Sequence, residues 1–205
     1  MWAHAERPLP VDPTSRITTA DIAEVLAAGP ASRPTNLSFD EVRPAAVLVV
    51  LADGPDGAEV LLTRRSNLLR SHSGEMSFPG GRIDPGETPV EATLREANEE
   101  VGLDADDVEV IGELDHLATV VSRSHVVPVV GRMARRADLG PTSMEVERVM
   151  WVPLVDLLRS DTYRVERWHL PPTDRLLYFF ELDDETVWGL TAVVLTDLLR
   201  RLATH

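Results

Sequence analysis

The sequence predicts an α/β sandwich, and three observations carry that prediction. Ala45–Leu51 is an unbroken apolar run of strand length, the pattern of a strand buried on both faces. Thr88–Gly102 holds the start and stop signals of a helix around an apolar stripe. Beyond it, short apolar strand-like segments mix with further helical patterns, an order that suits an α/β sandwich rather than an all-β or bundle fold.

Each element has its own justification. Thr18–Ala28 reads as a short helix, with Thr19 as its cap and Ile22, Val25 and Leu26 on its apolar face. Gly29–Pro44 has prolines and a glycine but few periodic apolar residues, so it reads as a linker or wrapping arm. Residues 1–43 are therefore expected to be an extension ahead of a domain over residues 44–205. The turn Asp53-Gly54-Pro55-Asp56-Gly57 leads from the first strand into a second at Ala58–Thr63. In the central helix Thr88 is the N-cap, Pro89 takes the first helical position, Glu91 completes a capping box, and Gly102 is a left-handed terminator. Val90, Leu94, Ala97 and Val101 form its apolar stripe. Strands are then predicted at Val108–Asp115, His125–Arg132 and Val149–Pro153, followed by a helix start at Leu154–Leu158 and a strand at Leu176–Leu182. Leu190–Leu202 closes the chain as a helix, with Arg200 and Arg201 at its favourable C-terminal end.

The central helix carries a charge pattern that folding alone does not favour. Arg95, Glu96, Glu99 and Glu100 lie around the cylinder from the apolar stripe, with Glu96 and Glu100 neighbours at i,i+4. Like charges at such spacings cost roughly 0.2–0.5 kcal/mol per pair. Glu99 and Glu100 also occupy the last turn, where the helix dipole disfavours anions by roughly 0.3–1 kcal/mol each. Arg95 offsets part of this through an i,i+4 contact with Glu99, but one cation does not balance three anions. A solvated acidic face is the plain reading of a Glu-rich helix. The clustering beside a Gly-rich turn, where the dipole opposes it, points instead to a hard divalent cation with oxygen ligands, Mg²⁺ or Mn²⁺.

The string Gly81-x5-Glu87-x7-Arg95-Glu96-Ala97-x-Glu99-Glu100-x-Gly102-Leu103 resembles the Nudix box, with no position missing over its 23 residues. The resemblance implies a Nudix fold, an α/β/α sandwich with a mixed central sheet, and cleavage of a nucleoside diphosphate linked to another moiety. It implies that Glu96 and Glu100 are the principal metal ligands, that Glu99 joins them directly or through water, and that the Gly80 carbonyl adds a backbone oxygen. Arg95 and Glu87 are implied to orient the carboxylates, beside Gly81. Glu99 is the first candidate for general base. Nudix enzymes vary on this point, so Glu145, Glu147 and Glu166 stay open, against the reading of each as a surface acid.

The preceding stretch, Leu61-Leu62-Thr63-Arg64-Arg65-Ser66-x3-Arg70-x3-Gly74-x3-Phe78-Pro79-Gly80-Gly81, resembles the coenzyme A diphosphatase branch of that family. Trp188-Gly189-Leu190-Thr191-Ala192 resembles a sequence found late in the same branch. The segment Gly74-Glu75-Met76-Ser77 departs from it, with an acid where Gln is usual. The branch implies products of 3′,5′-ADP and 4′-phosphopantetheine. ADP-ribose or a dinucleoside polyphosphate is the alternative substrate, and a non-catalytic ligand-sensing domain is the alternative class. From the residues themselves, Arg64, Arg65, Arg70 and Arg82 make a local excess of cations in an acidic chain, and guanidinium groups bind phosphate in bidentate fashion. Arg64, Arg65, Ser66, Arg70, His72 and Phe78 are thus the candidate substrate contacts. One of the adjacent Arg64-Arg65 pair must face away from the other, His72 also reads as an exposed loop histidine, and Phe78 reads equally as core.

Composition bounds the rest. A net charge of −14 argues against nucleic acid or an anionic membrane surface as partner. No apolar run is long enough to span a bilayer, and the first residues lack the pattern of an export signal. The absence of cysteine excludes disulfides and thiol chemistry and agrees with a cytoplasmic enzyme. The expected partner is a small nucleoside diphosphate of the coenzyme A class, and a homodimer is compatible with such a fold.

Overall fold

A strand buried on both faces organises the molecule. The computed structural model describes residues 16–35, 42–69, 72–119, 123–159, 161–170 and 173–203. In chain order the elements are α1 (Thr19–Ala28), β1 (Arg43–Gly54), β2 (Gly57–Arg65), β3 (Met76–Ser77), β4 (Gly80–Arg82), α2 (Pro89–Val101), β5 (Val108–Glu113) and β6 (Leu117–Thr119). They continue with β7 (Ser124–Met133), β8 (Val146–Pro153), α3 (Leu154–Leu157), β9 (Tyr163–Leu170), β10 (Thr173–Glu181), β11 (Thr186–Trp188) and α4 (Gly189–Ala203). Strand β1 runs beyond the apolar 45–51 segment because parallel pairing with β7 holds it from Arg43 opposite Ser124 to Leu51 opposite Arg132. All other pairings in its sheet are antiparallel, which makes the sheet mixed.

Alternate residues of β1 feed two cores. Ala46, Leu48, Val50 and Ala52 pack with Ala97, Val101 and Leu103 at α2, and Val90 and Leu94 join them. Val49 and Leu51 face the other way, against Ile22 of α1 and Leu195, Leu198 and Leu199 of α4. Helices thus cover both faces, the expected α/β/α sandwich. A separate antiparallel sheet in the order β11-β10-β9 leans on α4, with Phe180 and Val187 fully buried. Sequence patterning had registered only part of β10 in that sheet.

One local reading is corrected, and another is met by a very short element. Thr18, not Thr19, caps α1, because Asp21 stands at the capping-box spacing from Thr18 and returns a bond to its N–H. Thr19 is engaged elsewhere: its N–H and hydroxyl donate to the Asp53 carboxylate at 2.9 and 3.0 Å. The helix start at Leu154 is a single turn, with Pro153 at its N-cap position making no side-chain cap bond.

The feature that positions the site is a split in the sheet. β1 and β2 pair only from Leu51 opposite Val60 to the turn. Before that point β4 pairs with β1 and β3 pairs with β2, so Phe78-Pro79 sits where the strands part. The Leu48 N–H donates to the Pro79 carbonyl at 2.8 Å, and Phe78 is buried in the core. This wedge delivers Gly80 and Gly81 to the flank of α2.

Candidate active site

Helix α2 forms as its caps dictate. The Thr88 hydroxyl accepts from Glu91 N–H, the Glu91 carboxylate accepts from Thr88 N–H, and Gly102 adopts φ 72°, ψ 22°, which only glycine takes without cost. A small loop locks the far end from outside: Thr142 donates its N–H to the Glu100 carbonyl at 3.0 Å and its hydroxyl to the Glu99 carbonyl at 2.7 Å. Two carbonyls that the helix leaves unpaired are thereby satisfied.

Arg95 is the hub of the polar face. Its Nε and Nη2 donate to the two oxygens of Glu87 at 2.8 and 3.0 Å, a bidentate pair. Nη1 donates to Glu96 at 2.9 Å, and Nη2 also reaches the Arg82 carbonyl at 3.1 Å. Glu99 is a looser partner at 3.6 Å, with its side chain 60% exposed. Hydrogen bonding to Arg95 first, and to the Asp84 N–H second, holds the Glu87 carboxyl down to about 2. The same bonds to Glu87 and Glu96 raise Arg95 above the usual arginine range. Gly81 has no side chain because Glu96 occupies the place of one: a Cβ there would meet the Glu96 Oε1 at 2.4 Å.

Glu100 is different. It is 6% exposed, and its Oε2 accepts from the Gly80 N–H at 3.1 Å. Burial pushes its carboxyl up to about 7 against the pull of that hydrogen bond and of Arg65, and the neighbouring Glu96 and Glu145 push it further. A carboxylate buried with so little compensation suits a cation, since burying an unpaired charge is costly. The donors beside it are hard oxygens. Among the described residues no three His, Cys, Asp or Glu side chains form an ion cage by themselves. Mg²⁺ does not need one, since it commonly binds through one or two carboxylates plus substrate phosphates and water.

The arginines of β2 point into an acidic surround. Arg65 lies 3.6 Å from Glu145, and Arg64 lies 3.6 Å from Glu147 and 3.5 Å from Glu185. The Nε atoms of both arginines are buried without a hydrogen-bond partner. Arg148 joins from β8, pairing with Asp184 at 2.6 Å and lying 3.7 Å from Glu185. Glu185 and Arg148 carried no signal in the sequence; the β10–β11 turn and β8 bring them to Arg64. Ser66 accepts from Leu68 N–H and donates its own N–H to the Glu145 carbonyl, so it shapes the loop after β2. His72 bonds Glu75 at 2.9 Å, which places the unusual acid of the Gly74–Ser77 segment beside a histidine. Phe78 lies in the core, and Arg70 lies outside the described residues. Of the three distant acids, Glu145 comes to Glu100, Glu147 bonds Asn67 and faces Arg64, and Glu166 sits in β9, paired with Arg164 and accepting from Trp168.

Several known proteins are similar to this chain. The NUDIX domain family model matches residues 42–176. Nudix hydrolase 3 of Caenorhabditis elegans is 35% identical over 201 residues, covering 84% of this chain and 80% of the relative. The uncharacterized Nudix hydrolase NudL of Yersinia enterocolitica is 36% identical over 160 residues, covering 78% and 79%. The crystal structure of RenU, a Nudix hydrolase of M. smegmatis, superposes with a TM-score of 0.47 at 27% identity, covering 61% of this chain and 80% of that one.

Proposed function

This chain belongs to the Nudix hydrolase family, and from that premise we propose that it cleaves the diphosphate of coenzyme A or a derivative of it, yielding 3′,5′-ADP and the corresponding 4′-phosphopantetheine. The observation that carries this reading is the juxtaposition of buried Glu100 with the loosely paired arginines of β2. The first calls for a cation, and the second suits a substrate with more phosphates than the scissile pair.

In this reading Glu96 and Glu100 would hold the Mg²⁺ or Mn²⁺, with Glu99 and the Gly80 carbonyl completing the protein's share. When bound, such an ion would supply charge neutralisation for the diphosphate and a lowered pKa for a water. Arg95 keeps Glu96 aimed, and Glu87 keeps Arg95 aimed, as outer-sphere partners do at metal sites. Glu99, exposed at the helix end, takes the proton as the water oxygen attacks phosphorus and the bridging P–O bond breaks toward the leaving phosphate. Glu145 is the second candidate for that proton, on the specific ground that its charge acts on Glu100 and that it pairs with Arg65. Arg64 and Arg65 exchange their acidic partners for substrate phosphate, Ser66 and His72 shape the loop that follows them, and Arg70 is a further proposed phosphate contact; Phe78, buried in the core, supports the loop and does not touch substrate. Residues 44–205 form the hydrolytic domain and residues 1–43 its extension. A cytoplasmic setting accords with the cysteine-free sequence; among the described residues no helix is long and apolar enough to cross a membrane.

The test is incubation of the purified protein with Mg²⁺ or Mn²⁺ and a panel of diphosphate compounds, products being resolved by chromatography. Release of 3′,5′-ADP from coenzyme A is the expected result. Turnover of ADP-ribose with coenzyme A untouched overturns the substrate assignment.

A further inference from the structure

A second group of metal-competent side chains lies away from the carboxylate helix, at the edge formed by β6 and β7. Ala118 of β6 stands opposite His125 of β7, and His116 precedes Ala118 by two residues, so the two imidazoles share one face as diagonal neighbours. Their ring centres are 5.3 Å apart with the planes tilted by 52°. His116 Nδ1 and His125 Nε2 are both buried and have no hydrogen-bond partner. Such orphaned nitrogens are uncommon in folded proteins, and two on touching rings call for a common explanation.

The rest of His116 is arranged as a ligand. Its Nε2 faces the Glu113 carboxylate at 3.1 Å. A carboxylate accepts only from N–H, so the neutral ring carries its proton on Nε2 and leaves a lone pair on Nδ1. Carboxylate–histidine–metal triads use the same division. Zinc–nitrogen bonds of about 2.0–2.1 Å in a tetrahedral site place two imidazole centres roughly 5 Å apart, close to what is seen here. Burial, and next the neighbouring His116, hold the His125 imidazole below its ordinary range. By contrast His72 and His169, on the surface, each face an acid of their own, Glu75 and Asp174.

We propose that His116 and His125 form a binding site for one borderline transition-metal ion of the Zn²⁺ class, oriented by Glu113 and distinct from the oxygen-ligand site on α2. Among the described residues no third imidazole or carboxylate completes a cage, so water or a small anion fills the remaining positions. Nitrogen donors select such ions, whereas Mg²⁺ and Mn²⁺ prefer oxygen. The ion joins β6 to β7, and through the bond from His116 N–H to the Arg33 carbonyl at 2.8 Å it also stiffens the arm that follows α1. Its role is therefore a staple, read as stability rather than turnover.

The experiment titrates the full chain with Zn²⁺ in excess Mg²⁺, which keeps the carboxylate site occupied. One Zn²⁺ per chain and a raised melting temperature are expected. His116→Asn and His125→Asn should each abolish both effects, and Glu113→Gln should weaken binding by about 10–100-fold. Zn²⁺ binding that persists unchanged in both histidine variants lies elsewhere and overturns the proposal. Should a variant fail to fold, Co²⁺ added to the wild-type chain under the same conditions decides: intense visible absorption of a tetrahedral nitrogen site supports the proposal, and its absence refutes it.

Discussion

The acids of α2 and the arginines of β2, linked by the influence of Arg65 on Glu100, are held in opposite ways. Arg95 grips Glu87 with two bonds of 2.8 and 3.0 Å and Glu96 with a third of 2.9 Å. Arg64 and Arg65 keep their glutamates at 3.5–3.6 Å, with no hydrogen bond at either Nε. Short bidentate pairs fix geometry, and long ion pairs at a partly exposed surface contribute little. The first set is scaffolding for Glu96; the second can be traded for a ligand. Glu100 belongs to neither, being buried and short of positive charge.

The comparison is broken most severely at Glu100. Glu100→Gln should lower turnover on the order of 10³-fold, the scale of several kcal/mol of lost charge stabilisation, with a circular dichroism spectrum unchanged. A thermal melt that shows unfolding instead would make Glu100 a folding residue.

The same residue sharpens the contrast through pH. Its carboxyl titrates near 7 when folded and near 4.5 in its ordinary range, so the unfolded chain releases the proton first as pH rises. In chelator, stability should therefore be fully present below about pH 4.5 and fall until about pH 7, by roughly 3 kcal/mol for this group. Added Mg²⁺ should remove the decline, and so should Glu100→Gln. Denaturant midpoints across that range, with and without chelator, are the measurement.

Arg95→Ala tests the tightly bonded side. Metal affinity or activity should drop by about 10–100-fold, with the ion concentration for half-maximal rate rising. Arg65→Ala tests the loose side and has the smallest effect: KM for coenzyme A should rise about tenfold at nearly unchanged kcat, the loss of one charged contact made equally in ground and transition states. If Arg65→Ala destabilises the protein as much as Arg95→Ala does, the distinction between gripped and exchangeable pairs fails.

How legible each part was follows from the distance over which its cause acts. Helix α2 could be read because Thr88, Glu91 and Gly102 are all local signals. Strands β3 and β4 could not, since a two-residue and a three-residue segment become strands only where β1 and β2 part. β9 was missed because its sequence, Tyr163-Arg164-Val165-Glu166-Arg167-Trp168, mixes charge and apolar residues on a strand that is mostly half-buried or exposed. Glu145 is far from Glu100 along the chain, and the loop held by Thr142 is what returns it.

The amino-acid order by itself determined the helix, its caps, the crowding of acids upon it and the cationic stretch before it. Each depends on residues within a turn or two of one another, where spacing alone sets which side chains meet. Only the tertiary structure decided that Arg95 is committed to Glu87, that Glu100 is the buried acid of α2, and that two histidines share a face. Those outcomes depend on strand register and on burial, and both arise from pairing between segments whose separation along the chain encodes neither.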